Sequence, residues 1–202
     1  MWKIYFVRHG QTDRNLKGIM NPWDVDSELN ETWVQQAIDS WREARDQGLE
    51  FDVIVSSPLK RAIDTAKTIA EKTSYKWDIV VYNRLKEQLA WKFKNYSHDE
   101  LKSEFDITDT EQVRRLFKSK KYNWIEDISE FIERVTSWFQ EIKEKYADKN
   151  VLIVGHSGVA RVVFINSLWL DEDTTIFKTH WVQNAKILDT EVNPFKDNQQ
   201  SL

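Results

Sequence analysis

Arg8-His9-Gly10 closes the apolar run Trp2-Lys3-Ile4-Tyr5-Phe6-Val7, placing a guanidinium and an imidazole where a strand should end. That rim is where open α/β sheets bind ligands. Arg grips phosphate or carboxylate bidentately, and His serves as base or nucleophile near neutral pH. Three further segments repeat the pattern. Ser56-Ser57-Pro58-Leu59-Lys60-Arg61-Ala62 follows a second apolar run and opens a helix. Leu85-Lys86-Glu87 comes a few residues after a third, and Gly155-His156-Ser157-Gly158 joins a fourth to another helix. Brought to one rim, Arg8, Arg61, His9 and His156 would make a small anion-attracting pocket. Amide groups at the helix start near Ser157-Gly158 would add to it, and Asn15 could donate its amide. The set suits a dianionic phosphoryl group, whose transfer needs charge stabilisation and in-line positioning. A carboxyl such as Glu87 could protonate the leaving oxygen.

The elements that must position these groups alternate between strand and helix patterns. This predicts an α/β fold, a three-layer sandwich whose mainly parallel central sheet is flanked by helices. Strands are expected at 2–7, 52–56, 78–82, 151–154 and 186–189, each rich in β-branched or aromatic residues. Helices are expected at 31–46, with Trp33, Val34, Ala37, Ile38 and Trp41 on one face; at 58–72, with Pro58 in the first turn; at 127–146; and at 158–169. The helix at 127–146 carries the clearest three-four stripe, Ile128, Phe131, Ile132, Val135, Trp138, Phe139, Ile142 and Tyr146. Residues 88–125 break the alternation and read as a small helical cap insertion, with short helices near 98–105 and 110–118. Residues 190–202 read as a polar surface tail. The whole chain, 1–202, reads as one domain.

Bulk properties narrow the classes. The 202 residues are 41% hydrophobic and 31% charged, as in soluble globular proteins. The formal net charge is −4, with no basic field for nucleic acid; Lys118-Ser119-Lys120-Lys121 is short and reads as a solvated run. There are no cysteines, which excludes disulfides, thiolate metal sites and cysteine nucleophiles. No apolar run approaches the length of a membrane span, so the expectation is a cytoplasmic protein. Ten Trp are read first as packing residues, and His98 and His180 as ordinary surface or core histidines.

Taken in order, the four segments resemble the histidine phosphatase superfamily, the phosphoglycerate mutase-like family. Its opening Arg-His-Gly-Glu-Thr-x-x-Asn is matched by Arg8-His9-Gly10-Gln11-Thr12-Asp13-Arg14-Asn15. Its Ser-Ser-Pro-Leu-x-Arg-Ala-x-x-Thr-Ala is matched by residues 56–66, and its Leu-x-Glu by Leu85-Lys86-Glu87. Its late His-Gly-Gly-x-x-Arg segment is matched by His156-Ser157-Gly158-Val159-Ala160-Arg161. The resemblance implies that His9 forms a phosphohistidine. Arg8, Arg61 and His156 would hold the phosphoryl oxygens, with Asn15 assisting and Thr12 and Ser157 also in the binding set. Glu87 would protonate the leaving group and then deprotonate water. No metal and no cofactor are implied. The departures are Gln11 for Glu, Pro22 where many members carry Gly, Trp91 and Asn95 where Gly-x-x-x-Gly spacing is common, and the small residues flanking His156. Trp23 or Trp91 is the candidate wall for the leaving group, with packing of the cap as the alternative role.

The function expected from this resemblance is a metal-independent phosphomonoester hydrolase acting on a small phosphorylated metabolite. The rival is a cofactor-dependent phosphoglycerate mutase, a class whose chains usually run longer. A third reading, an inactive phosphate-binding regulatory protein, fits less well because nucleophile, arginines and acid are all present. The expected partner is a small-molecule phosphomonoester, with neither nucleic acid nor membrane, and a homodimer is left open.

Overall fold

The fold was taken from a computed structural model that describes residues 3–104, 125–172 and 182–194. Five strands form one sheet: β1 (Ile4–Arg8), β2 (Val53–Ser56), β3 (Val80–Val81), β4 (Val151–Gly155) and β5 (Ile187–Asp189). Their order is β3-β2-β4-β1-β5. The first four run parallel, and β5 pairs antiparallel with β1. The described helices are α1 (Asp13–Leu16), α2 (Glu31–Asp46), α3 (Lys60–Lys72), α4 (His98–Glu104), α5 (Ile128–Lys145) and α6 (Ser157–Leu168).

Period-two alternation divides the core between the two faces of the sheet. Ile4, Phe6, Val55, Val151 and Ile153 face one way and pack with the apolar stripes of α5 and α6. Tyr5, Val7, Ile54, Leu152 and Val154 face the other way and meet Ala62, Ala66 and Ile69 of α3. The result is the expected three-layer α/β arrangement. The α5 stripe is buried at Ile128, Phe131, Val135, Trp138, Phe139 and Ile142, and Asp127 caps the helix by accepting from the Ser129 amide at 2.9 Å. Burying each such side chain contributes about 1.5–3 kcal/mol. Helix α6 is apolar on almost every side because it lies between the sheet and α5.

Some boundaries differ from the sequence expectation. The third strand is two residues long rather than five, because it is an edge strand paired only with Val55 and Ser56 at the end of β2. Helix α3 starts at Lys60, two residues after Pro58. Leu59 cannot cap it, and Asp26 from a distant loop accepts the Lys60 amide at 2.7 Å instead. On α2 the buried residues are Ala37 and Ala44, while Val34 is 44% exposed, so the apolar face is narrower than its spacing implies. Thr190, at the start of the expected tail, is buried and tied to Ile4 O through both its amide and its hydroxyl. The expected helix near 110–118, the lysine run at 118–121 and His180 lie outside the described residues.

What matters for the site is strand order. β2, β4 and β1 are adjacent and parallel, so their C-terminal ends form one contiguous rim. The ladder continues past the strands: the His9 amide donates to Gly155 O at 2.9 Å and the Ser57 amide to Val154 O at 3.0 Å. Three segments far apart in sequence are thereby held in register by backbone bonds. Among the described residues no helix is long and apolar enough to cross a membrane.

Candidate active site

At this rim opens a cavity of about 440 Å³, lined by Arg8, His9, Asn15, Glu87 and Arg161 together with Gly18, Ile19, Met20, Asn21, Pro22, Gln88, Ala90, Gly158 and Asn184. Such a volume fits a small organic phosphate.

His9 is 3% exposed. Its Nδ1 lies 2.8 Å from Gly10 O. A carbonyl oxygen only accepts, so Nδ1 carries the proton and Nε2 keeps its lone pair. Burial holds the imidazole well below its usual pKa, and the nearby charges of Arg61 and Arg8 push it the same way. The ring is therefore neutral near pH 7, with Nε2 unprotonated. Asn184 fixes the backbone here by donating from Nδ2 to His9 O at 2.7 Å. Gly10 is required: a Cβ would stand 2.8 Å from the Trp33 ring. Its amide donates to Thr65 Oγ1 at 2.9 Å, and that hydroxyl donates back to Arg61 O.

Behind His9 lies His156, fully buried, with ring centroids 5.2 Å apart. Its Nε2 is 2.8 Å from Ser57 Oγ, and its Nδ1 has no hydrogen-bond partner. Burial, then Arg61, His9, Arg8 and Arg134, keep it neutral as well.

The cationic wall comes from Arg8 and Arg161. Arg8 donates from one guanidinium nitrogen to Val182 O at 2.8 Å, and burial lowers its pKa to about 10 against the opposing pull of Glu87. It remains charged at neutral pH. Arg61 is fully buried beneath the 21–26 loop and does not line the cavity. It donates to Val25 O at 2.6 Å and Asn21 O at 3.1 Å, while its Nε has no partner. It thus ties the loop to the floor while lending positive charge to both histidines.

Opposite stands Glu87. Its Oε2 accepts from the Gly158 amide at 3.2 Å and its Oε1 from the Gln88 amide at 3.1 Å. Gly158 is the space that admits it, since a Cβ there would collide with Oε1. Asn15 and Thr12 form a reciprocal capping box at the start of α1. Asn15 Oδ1 accepts from Thr12 there, leaving the Asn15 NH2 as its group for a ligand.

Of the residues singled out in sequence, Arg8, His9, Asn15 and Glu87 line the cavity. Arg61, His156, Thr12 and Ser157 lie behind the wall; Ser157 Oγ is buried without a partner. Trp23 does not line it. Its ring packs under Lys86 Nζ at 4.8 Å, joining the 21–26 loop to the Glu87 turn. Trp91 falls in a short 3₁₀ turn, Trp91–Phe93, and its side chain lies outside the described part of the structure, as does that of His98. Sequence reasoning assigned no role to Ser57, Arg161, Asn184, Gln88 or Met20. Ser57 and Arg161 stood inside the quoted motifs and were legible there. Asn184 arrives through the pairing of β5 with β1, which leaves no local signal. Among the described residues no group of three or more His, Asp or Glu is arranged to hold a metal ion.

Against protein families, the model of the histidine phosphatase superfamily (branch 1) matches residues 4–198. The chain belongs to this superfamily. Among curated relatives, a 2,3-bisphosphoglycerate-dependent phosphoglycerate mutase of Staphylococcus haemolyticus is 27% identical over 174 residues, 85% of this chain and 73% of the mutase. A mutase of the same description from Lactococcus lactis is 37% identical over 89 residues, 44% of this chain and 38% of that one. Solved structures share the fold. A mycobacterial glucosyl-3-phosphoglycerate phosphatase superposes with a TM-score of 0.75 at 24% identity, covering 93% of this chain and 91% of the other. A phosphoserine phosphatase of Entamoeba histolytica gives 0.73 at 23% identity, covering 93% and 89%. Superfamily members of both kinds are enzymes, phosphatases or mutases, and this chain carries the same fold.

Proposed function

We propose that this histidine phosphatase superfamily member hydrolyses small phosphomonoesters through a phosphohistidine on His9, without a metal. The observation that carries the reading is the neutral His9, hydrogen-bonded at Nδ1 and bare at Nε2, beside the Arg8 and Arg161 guanidiniums and across from Glu87. In the first half-reaction Nε2 attacks phosphorus as the ester P–O bond breaks. Protonated Glu87 gives its proton to the departing oxygen, releasing the alcohol. The Gly10 carbonyl, already accepting from Nδ1–H, stabilises the positive charge that the ring gains. In the second half, Glu87 takes a proton from water while the water oxygen attacks phosphorus and the P–N bond breaks. Inorganic phosphate leaves and His9 returns to its starting form. Arg8, Arg61 and Arg161 supply the positive charge that the transition state requires, with Asn15 as an added donor.

A second reading, a mutase that hands the phosphoryl group to a second hydroxyl, is favoured by the Staphylococcus relative aligned over 85% of this chain. Two assays test the nucleophile and separate the readings. With an aryl phosphate in the presence of a chelator, hydrolysis is expected to persist. In His9→Ala it should fall by roughly three orders of magnitude or more. Isomerisation of phosphoglycerate outrunning its hydrolysis, and depending on a bisphosphorylated primer, would establish the mutase instead.

A further inference from the structure

Glu87 sits on an irregular stretch between a 3₁₀ turn, Asn83–Leu85, and a second one at Trp91–Phe93. Loops are poor platforms for a group that must be placed within a fraction of an ångström. Yet this one is gripped on both sides of residue 87 by a pair far away in sequence. Arg134 of α5 donates to Arg84 O at 2.7 Å and to Lys86 O at 3.1 Å, holding the chain before Glu87. The same guanidinium makes a bidentate pair with Glu126, Nε to Oε1 at 2.7 Å and its other terminal nitrogen to Oε2 at 2.8 Å. Glu126 holds the chain after Glu87. Its Oε2 accepts from the Leu89 amide at 3.3 Å, its amide donates to Leu89 O at 3.0 Å, and its carbonyl accepts from Gln88 Nε2 at 2.8 Å. The guanidinium lies 5.0 Å over the Phe131 ring, and that ring also stands against Gly158, whose amide binds Glu87. Neither Arg134 nor Glu126 lines the cavity.

We propose that Arg134 and Glu126 form a brace whose role is to position the Glu87 carboxyl at the leaving oxygen. This rests on the reading of Glu87 as the proton donor. Only Arg can do the work: four nitrogen–oxygen bonds from one planar fork exceed the three donors of an ammonium, and the fork matches a carboxylate bidentately. Arg134 and Glu126 are positioning residues, since they act through Glu87 and touch no substrate.

The test compares Arg134→Lys and Glu126→Gln with Glu87→Gln on two esters, an aryl phosphate with a good leaving group and an alkyl phosphate with a poor one. A loose acid costs most where protonation matters most, and a misplacement of about 1 Å can cost on the order of 100-fold. The brace variants are therefore expected to lose roughly 10- to 100-fold in kcat/KM, which reports the first half-reaction, on the alkyl ester and less than about 3-fold on the aryl ester; the second half-reaction is common to both esters and does not enter this comparison. Arg134→Lys combined with Glu87→Gln should lose no more than Glu87→Gln alone, because groups acting as a unit are not additive. Equal losses on both esters, no loss, or additive losses in the double variant would overturn the brace. If Arg134→Lys fails to fold, Glu126→Gln decides by the same readouts, since it keeps side-chain shape. Should Glu87→Gln itself lower kcat/KM equally on both esters, the reading of Glu87 as the acid fails, an outcome distinct from failure of the brace.

Discussion

At the scale of residues, one hydrogen bond decides what His9 can do. With Nδ1–H committed to Gly10 O, the imidazole presents Nε2 toward the cavity, and burial beside Arg61 and Arg8 keeps it unprotonated. The sign follows directly: a depressed pKa extends the neutral, nucleophilic form to acid. Nitrogen NMR of the free protein at pH 6.5 should show His9 neutral, with the proton on Nδ1. A half-protonated His9 at that pH would show that the depression is absent. Glu87 depends on a missing methyl group in the same way. Gly158→Ala would drive a carbon into Glu87 Oε1 and push the carboxyl aside. We expect kcat on poor leaving groups to fall about 10-fold or more in this variant. Unchanged turnover would mean that Glu87 has room to be elsewhere. At this scale the sequence was most informative, because His9, Arg8, Asn15 and Glu87 stand in motifs whose side chains converge. For Trp23 the sequence leaves two roles open, pocket wall or packing, and the packing role fits, because its ring is taken up by Lys86. The family resemblance implies that Arg61 holds phosphoryl oxygens; in the structure its terminal nitrogens donate to backbone carbonyls of the loop above.

At the scale of elements, the rim is built by strand adjacency rather than by any one motif. β4 lies between β2 and β1, so His156 is brought behind His9, and the α3 start is brought alongside. Gly10 is where the strand-to-loop transition passes the α2 helix. Gly10→Ala would drive a Cβ to 2.8 Å from the Trp33 ring and displace the turn that holds His9. Overpacking of this kind costs about 1–3 kcal/mol, so the urea midpoint should drop and activity with it. A variant as stable as the parent would show that Trp33 yields freely. Long apolar patterns such as α5 were legible to within a residue because their stripe is a long periodic signal. The edge strand β3 was not, since the same β-branched run serves equally well as a loop wall once its neighbour β2 ends. The Asp26 cap on α3 is invisible locally because the acceptor is 34 residues away.

For the molecule as a whole, two neutral histidines buried among arginines tie stability to pH. Their folded pKa values lie well below the usual 6.5. Above that pH both folded and unfolded chains hold neutral rings and the histidines contribute no pH dependence. As pH falls through 6.5 the unfolded chain takes up protons that the folded chain refuses, so stability is lost on the acid side. Each ring should contribute a share of this loss, measurable between about pH 7.5 and 5.5. His156→Gln should remove one such share from the slope measured by urea unfolding; an unaltered slope would count against the buried neutral state. Covalent catalysis leaves a trappable intermediate. The protein is mixed with a labelled aryl phosphate, quenched into alkali within the first turnover, and mapped by peptide mass. One phosphoryl group is expected, acid-labile and on the nitrogen of His9. A label on any other side chain, or product released with no phosphorylated chain at any time point, would contradict it.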